Sequence, residues 1–406
     1  MCYGKRKENA RRRREMMMHK SETETNSNVT LSKTIKSKDT DKLWQRSVKH
    51  DSLYHSDILI PKSRVINELI KNSRMKSEEE DEDTISLAEE SSIGDLVDEW
   101  IDVMLSKGIK GLTDEFIALY FSTKPSPNDY NIFLANQNSG RNRYRNVVCL
   151  DNSRVKLNNH PSGNDYIHAN YVGTPFSERR FICTQAPLDS TIYDFWFMII
   201  QEKVKYIIML TNYTEKGCIK STPYFPSEIN KIDNYNGIMV KCLTCERRID
   251  FECEIWERSL MIQSPDMKST IVRMSSSPIV LHCSAGIGRT GCLVLIELVL
   301  EKLSCKQTCS SMNFMLAELR KQRAKLIQNN ISRMQTLSSL QQYLYVHRAL
   351  LHCFTLAGRV KKMDEVRKFV KDYEQFIFDE SNAKKNFSNH SFQLISKPKH
   401  IEVNNN

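Results

Sequence analysis

The run His282-Cys283-Ser284-Ala285-Gly286-Ile287-Gly288-Arg289-Thr290-Gly291 limits what this chain can fold into more than any other ten residues. Pro278-Ile279-Val280-Leu281 stands before it and reads as a short buried strand. Cys292-Leu293-Val294-Leu295-Ile296-Glu297-Leu298-Val299-Leu300 follows and reads as a buried helix. The ten residues are then a strand-to-helix turn. Gly286 and Gly288 let such a turn curl tightly, so that successive backbone N–H groups point inward. With the helix N-terminus, those donors make an anion site. Arg289 returns over the loop, and its planar fork suits two oxygens of a tetrahedral anion.

Cys283 sits at the base of this turn. The inward donors, the helix dipole and Arg289 each favour thiolate over thiol, so its pKa should fall well below the free value of about 8.5. A thiolate beneath a bound phosphate is a nucleophile aimed at phosphorus. The implied product is a phosphocysteine that water must hydrolyse, and the Thr290 hydroxyl can ease the departure of sulfur. His282 more naturally shapes the loop by hydrogen bonding than acts as a base. The loop is not a nucleotide-binding one, since it lacks Gly-Lys-Ser/Thr and carries Cys at its centre. A buried structural Cys beside a glycine turn would need neither the Arg nor two glycines.

Charge locates the body of the protein. The 406 residues carry 59 Lys+Arg and 49 Asp+Glu, a net charge of +10. Residues 1–77 hold 19 basic and 9 acidic side chains, so that segment accounts for all of it, and residues 78–406 balance at 40 against 40. The segment includes Arg11-Arg12-Arg13-Arg14, has no sustained periodicity, and lacks the apolar area to offset its ordering entropy. We read residues 1–92 as a disordered basic arm followed by an acidic linker at Glu78–Asp83, with one short helix expected over Ile58–Ile70. Such an arm either is a solvated tail or touches an anionic membrane or nucleic acid. No apolar h-region follows Met1, and no run reaches the roughly 18–20 residues that span a bilayer. The 12 Cys are scattered rather than framed, which favours a reducing compartment, the cytoplasm or the nucleus. Cys242-x-x-Cys245 has metal-like spacing without a second pair, so it reads as structural, and no metal or cofactor is expected.

From Ile93 the texture changes. Leu96, Trp100, Ile101, Met104, Leu105 and Ile109 recur at helical spacing, then Phe116, Leu119 and Tyr120. Strand-like runs follow at Tyr166–Val172, Phe181–Thr184 and Tyr206–Leu210, with a helix over Ile192–Lys203 and later helices over Met312–Arg323 and Leu340–Leu351. This alternation predicts an α/β domain over residues 93–354, a twisted mixed sheet flanked by helices. Residues 355–406 read as a Lys/Asn-rich tail with one helix, Met363–Phe378, then disorder.

The ten-residue string resembles the signature loop of the tyrosine-specific protein phosphatases, and the likeness extends over roughly residues 94–352. Asn142-Arg143-Tyr144-Arg145-Asn146-Val147-Val148 is similar to that family's phosphotyrosine-recognition loop. Thr184-Gln185-Ala186-Pro187, Asp194-Phe195-Trp196 and Glu215-Lys216-Gly217-Cys218-Ile219-Lys220 resemble further family segments. The resemblance implies hydrolysis of phosphotyrosine in proteins through a phosphocysteine. In that scheme Cys283, Arg289 and Thr290 do the chemistry, while Ser284, Ala285, Gly286, Ile287 and Gly288 cradle the phosphate. Tyr144 walls a cleft too deep for phosphoserine, and Asn146 meets the substrate backbone. Glu215 holds Arg289, Lys220 meets the acid loop, and Gln328 positions the hydrolytic water.

The chain also departs from the family. The family's Trp-Pro-Asp acid loop has no counterpart here. The similar triplet Ser264-Pro265-Asp266 lies about half as far before Cys283 as the family acid lies before its Cys. Either Asp266 is the acid on a shortened connection, or the acid loop is missing and the triplet is a remnant of the following segment. The second fits better, because a helix and loop halved in length would not place a carboxylate within general-acid reach. Such a loss would also expose a sheet edge. Asn146 replaces a family Asp, and residues 331–340 look inserted, with Gln335 a second candidate for the glutamine role. The alternative reading is a catalytically impaired pseudophosphatase that binds phosphotyrosine proteins.

Overall fold

Strand β10, Ile279–His282, lies inside a five-stranded sheet, one place in from its edge, in the computed structural model. The structure describes residues 84–250, 253–264, 277–327 and 333–395. The chain divides into two units, Met1–Asp57 and Ile58–Asn406, and every described residue belongs to the second. The expected helix over 58–70, the acidic linker, Asp266 and Gln328 lie outside the described residues.

The sheet is built from β1 (Arg154–Lys156), β2 (Tyr166–Thr174), β3 (Ser177–Thr184), β10 and β4 (Tyr206–Met209), in that order. β1, β2 and β3 pair antiparallel, whereas β10 runs parallel to both β3 and β4. Parallel strands need crossovers; a short helix α2 (Asn131–Ala135) precedes the sheet, and helix α3 (Ile192–Gln201) supplies the crossover between β3 and β4. This is the mixed sheet flanked by helices that the sequence predicts. β4 is the outer strand, and its Tyr206 is largely exposed.

The period-2 alternation of the strands makes two cores. On one side Val172, Phe181, Cys183 and Leu281 pack with α1 (Thr84–Ser122), α4 (Gly288–Ser304), α5 (Met312–Gln322), α6 (Arg333–Leu356) and α7 (Met363–Ile395). On the other, Ile167, Ala169, Ile182 and Val280 meet Phe195 and Trp196 of α3. There the Trp196 indole donates to the Tyr224 carbonyl at 2.8 Å. Between β4 and β10 the chain forms a two-stranded β5–β6 hairpin (Thr214–Glu215, Cys218–Ile219) and a three-stranded antiparallel sheet. That sheet consists of β7 (Ile232–Tyr235), β8 (Ile238–Asp250) and β9 (Cys253–Gln263). The long β8–β9 hairpin had not been expected. Its outer half is rich in charge, and Arg247–Glu254 and Arg248–Glu257 pair across the strands.

Two boundaries differ from the sequence reading. α1 begins at Thr84, inside the segment read as arm and linker, and changes direction at Gly108, where φ is +56°. α7 runs to Ile395, past the expected end at Phe378. Its first turns are held by Val366, Phe369 and Val370, all buried. Among the described residues, no helix is long and apolar enough to cross a membrane, and no group of three or more His, Cys, Asp and Glu is placed to hold a metal ion.

One half-buried acid on α4 works against the fold. Glu297 has its carboxyl pushed up to about 6, by burial first and by Glu301 second. Its protonated form suits the fold, so its cost is absent at low pH, grows as pH rises from its unfolded value near 4.5 through 6, and is complete above about 7. Glu297→Gln is therefore expected to raise stability by about 1–2 kcal/mol at pH 8 and by little at pH 5, read from denaturant midpoints at the two pH values.

Candidate active site

Cys283 directly follows β10, and its side chain is buried. The next residues curl as the motif predicts. Gly286 sits at φ +67°, and a Cβ there would lie 2.0 Å from the Thr184 carbonyl oxygen, so only glycine fits. Burial alone would push the Cys283 thiol up. The Thr290 hydroxyl and the backbone N–H groups of Thr290, Ile287 and Gly286 outweigh it and hold the thiol below its ordinary value. The Thr290 hydroxyl is buried without a well-formed hydrogen bond to any protein group; its favourable interaction is with the Cys283 sulfur.

The carbonyls of the loop turn the other way and meet a buried guanidinium. Arg323 donates from Nε to the Gly286 carbonyl at 3.2 Å and from Nη2 to the Ala285 carbonyl at 3.1 Å. Its Nη1 reaches Asn170 Oδ1 at 2.8 Å. His168 accepts at Nδ1 from the same guanidinium at 3.3 Å, and burial together with that positive charge pushes the imidazole down to about 3, so it is neutral. Sequence reasoning missed Arg323. Within Arg320-Lys321-Gln322-Arg323 it has no mark that separates it from a solvated charge run.

Arg289, on the first turn of α4, is half exposed and forked onto Glu215. Nη1 lies 2.6 Å from Oε1, and Nη2 lies 2.5 Å from Oε2. Nη1 also donates to the Leu210 carbonyl at 2.6 Å. The Arg289 bonds are the main reason the Glu215 carboxyl is pulled down to about 2. Ser284 ties three segments together. The Tyr144 hydroxyl is 2.9 Å from Ser284 Oγ, and that Oγ donates to the Lys220 carbonyl at 3.0 Å. His282 Nε2 lies 2.7 Å from the Tyr224 hydroxyl, and its Nδ1 lies 3.1 Å from the Cys283 carbonyl oxygen. Burial, the larger effect, moves the imidazole down to about 4.

Cys283, Arg289, Thr290, Glu215, Tyr144, Ser284, Lys220 and His282 are thus joined at one place. Asn146 lies at the rim, exposed, with its carbonyl bonded to Lys325. Gln335 falls within α6, with its side chain not described. Gln342 of that helix, not singled out from sequence, lays its amide against Gly288: a Cβ on Gly288 would stand 3.0 Å from Nε2.

A Cys thiol held below its ordinary value at the floor of a main-chain N–H cradle, beside an Arg fixed by a Glu, defines a class: cysteine-centred domains of α/β fold with a site suited to an anion. The model of the protein-tyrosine phosphatase family matches residues 138–274 and 262–352, together more than half of the chain. The chain belongs to that family. Tyrosine-protein phosphatase 69D of Drosophila melanogaster is 31% identical over 257 residues, covering 55% of this chain and 17% of that protein. Tyrosine-protein phosphatase 1 of Caenorhabditis elegans is 30% identical over 335 residues, covering 73% of this chain and 31% of that protein. A solved structure described as "Structural basis of PTPN18 fingerprint on distinct HER2 tyrosine phosphorylation sites" superposes with a TM-score of 0.51 at 21% identity, over 60% of this chain and 96% of that one. It shows the fold. The chain spans less than a third of the length of these two curated relatives.

Proposed function

We propose that this protein captures phosphotyrosine in proteins and hydrolyses it through a phosphocysteine on Cys283, without a cofactor or metal. The observation that carries the reading is the depressed thiol of Cys283, held despite burial by the Thr290 hydroxyl and by the Thr290, Ile287 and Gly286 N–H groups. In this scheme the phosphoryl group occupies the cradle, and Arg289, fixed by Glu215, takes two of its oxygens. Sulfur attacks phosphorus and the phenol oxygen leaves. Water then attacks the phosphocysteine, and the Thr290 hydroxyl steadies the departing sulfur. Tyr144 walls the cleft. Gln328 is the proposed holder of the water and Asp266 the weaker proposal for the acid.

A second reading rests on the connection before β10. β9 ends at Gln263 and β10 begins at Ile279, which leaves little chain for a separate acid loop. Without a general acid, turnover falls by roughly 10²–10⁴-fold, and the domain holds phosphotyrosine proteins more than it cleaves them. The ten described cysteines are all free thiols, which suits a reducing cytoplasmic or nuclear setting.

The test uses the full chain with a phosphotyrosine peptide and an activated aryl phosphate. Under the first reading both release phosphate, and acid quenching traps phosphate on Cys283. Under the second, the peptide binds but only the activated ester turns over. A peptide that neither binds nor reacts would end both readings.

A further inference from the structure

Among the described residues, no carboxylate forms an ion pair with Arg258 of β9, although Arg247 and Arg248 on the facing strand both find one. Its Nε is buried without a hydrogen-bond partner. Aromatic faces hold the cation instead. The guanidinium carbon lies 5.2 Å from the Trp256 ring centre and 5.4 Å from that of Phe225. A cation over a ring face is attracted by the ring quadrupole, more so where water is excluded. Trp256 belongs to β9 as well, whereas Phe225 lies in the segment that follows the β5–β6 hairpin. The contact therefore joins two separate parts of the chain.

Phe225 passes the restraint on. Its ring lies 6.0 Å from that of Tyr213, which immediately precedes β5. The charge of Arg258 reaches Tyr213 too: burial pushes the phenol up to about 12, and the guanidinium pulls against that rise. The Tyr213 carbonyl accepts the Lys220 N–H at 2.8 Å and the Ser221 N–H at 3.3 Å, which closes the hairpin. Just before Tyr213 stand two groups that aim Glu215. The Thr211 hydroxyl donates to Glu215 Oε1 at 2.9 Å, and the Asn212 N–H donates to the same oxygen at 3.2 Å. Glu215 in turn grips Arg289. A bidentate fork tolerates little displacement, because both of its bonds depend on where the carboxylate plane lies.

We propose that Arg258 is a positioning residue for the phosphoryl-binding Arg289: held by the Trp256 and Phe225 rings, it fixes Tyr213 and so the carboxylate of Glu215. The proposal rests on the cleft binding phosphotyrosine. In this scheme Arg258 meets neither phosphate nor sulfur, and its effect reaches the ligand only through Glu215 and Arg289.

The experiment measures the Kd of a phosphotyrosine peptide for full-length protein carrying Cys283→Ser, alone and with further substitutions, each checked for folding by circular dichroism. Arg258→Met keeps an extended side chain without the charge and is expected to weaken binding roughly tenfold. Arg258→Lys keeps a cation over the rings and should restore binding to within about threefold. Phe225→Leu removes the bridging ring and should match Arg258→Met, and it carries the test if Arg258→Met does not fold. The decisive readout is a double-mutant cycle. In a Glu215→Gln background, where the fork is already broken, Arg258→Met or Phe225→Leu is expected to change Kd by less than about twofold. A merely structural Arg258 would weaken binding by the same factor in both backgrounds, and that result overturns the proposal. So does an unchanged Kd in the folded variants, or binding by Arg258→Lys no tighter than by Arg258→Met; each leaves the phosphotyrosine reading standing. Failure of the parent Cys283→Ser protein to bind the peptide overturns both.

Discussion

Cys283→Ser is expected to abolish phosphate release from an activated aryl phosphate, by roughly 10⁴-fold or more, while phosphopeptide binding is retained and the melting temperature moves by no more than about 2 °C. The cradle separates these effects. The Gly286, Ile287 and Thr290 N–H groups and the Arg289 fork remain in place to hold phosphoryl oxygens, whatever atom lies beneath them. They lower the thiol, whereas a hydroxyl starts too high for the same donors to produce an alkoxide near neutral pH. Volume changes little, so packing does too. Phosphate release by the variant at the wild-type rate would show that another group attacks phosphorus.

Arg323→Met is expected to cost about 3–5 kcal/mol of stability, read by denaturant titration, and to slow any turnover by roughly 10²-fold. The guanidinium is buried and donates to the Gly286 and Ala285 carbonyls and to Asn170 Oδ1. Methionine fills similar space and supplies no donor, so the Gly286 and Ala285 carbonyls, Asn170 Oδ1 and His168 Nδ1 all lose their partner. The loop then relaxes, its N–H groups turn from the sulfur, and the burial that opposes ionisation prevails. The thiol pKa rises, so alkylation of Cys283 near pH 7 should slow and its pH midpoint move upward. An unchanged midpoint alongside lost stability would reduce Arg323 to a packing residue.

The site was legible where local chain geometry determines it. Gly286 and Arg289 report their roles in the ten residues themselves, because a positive φ and an anion grip both demand a residue type. The sheet strands were legible from short apolar runs bounded by turns, and β2, β3, β4 and β10 fall where those runs stand. Pairings across long stretches of chain were not. Tyr144 with Ser284 and Glu215 with Arg289 join residues far apart in sequence, and it was resemblance to a family that assigned roles to Tyr144 and Glu215. Arg323 and Lys325 were invisible for a different reason: one Arg buries its charge and one Lys holds a rim, yet both occur in a basic stretch that reads as solvated surface. The β8–β9 hairpin escaped because its outer half is a charged ladder without the apolar alternation that marks a half-buried strand.

The interior position of β10, between β3 and the edge strand β4, has a consequence for how reactivity arises during folding. Its partners are β3 and β4, many tens of residues earlier in the chain, so the platform beneath the sulfur exists only after distant stretches have met. A nascent or partly unfolded molecule therefore carries an ordinary, sluggish thiol at this position. Chemical potency is acquired late, as a property of the finished sheet, and any event that peels away an outer strand would switch the sulfur back to dormancy before the rest of the domain is lost.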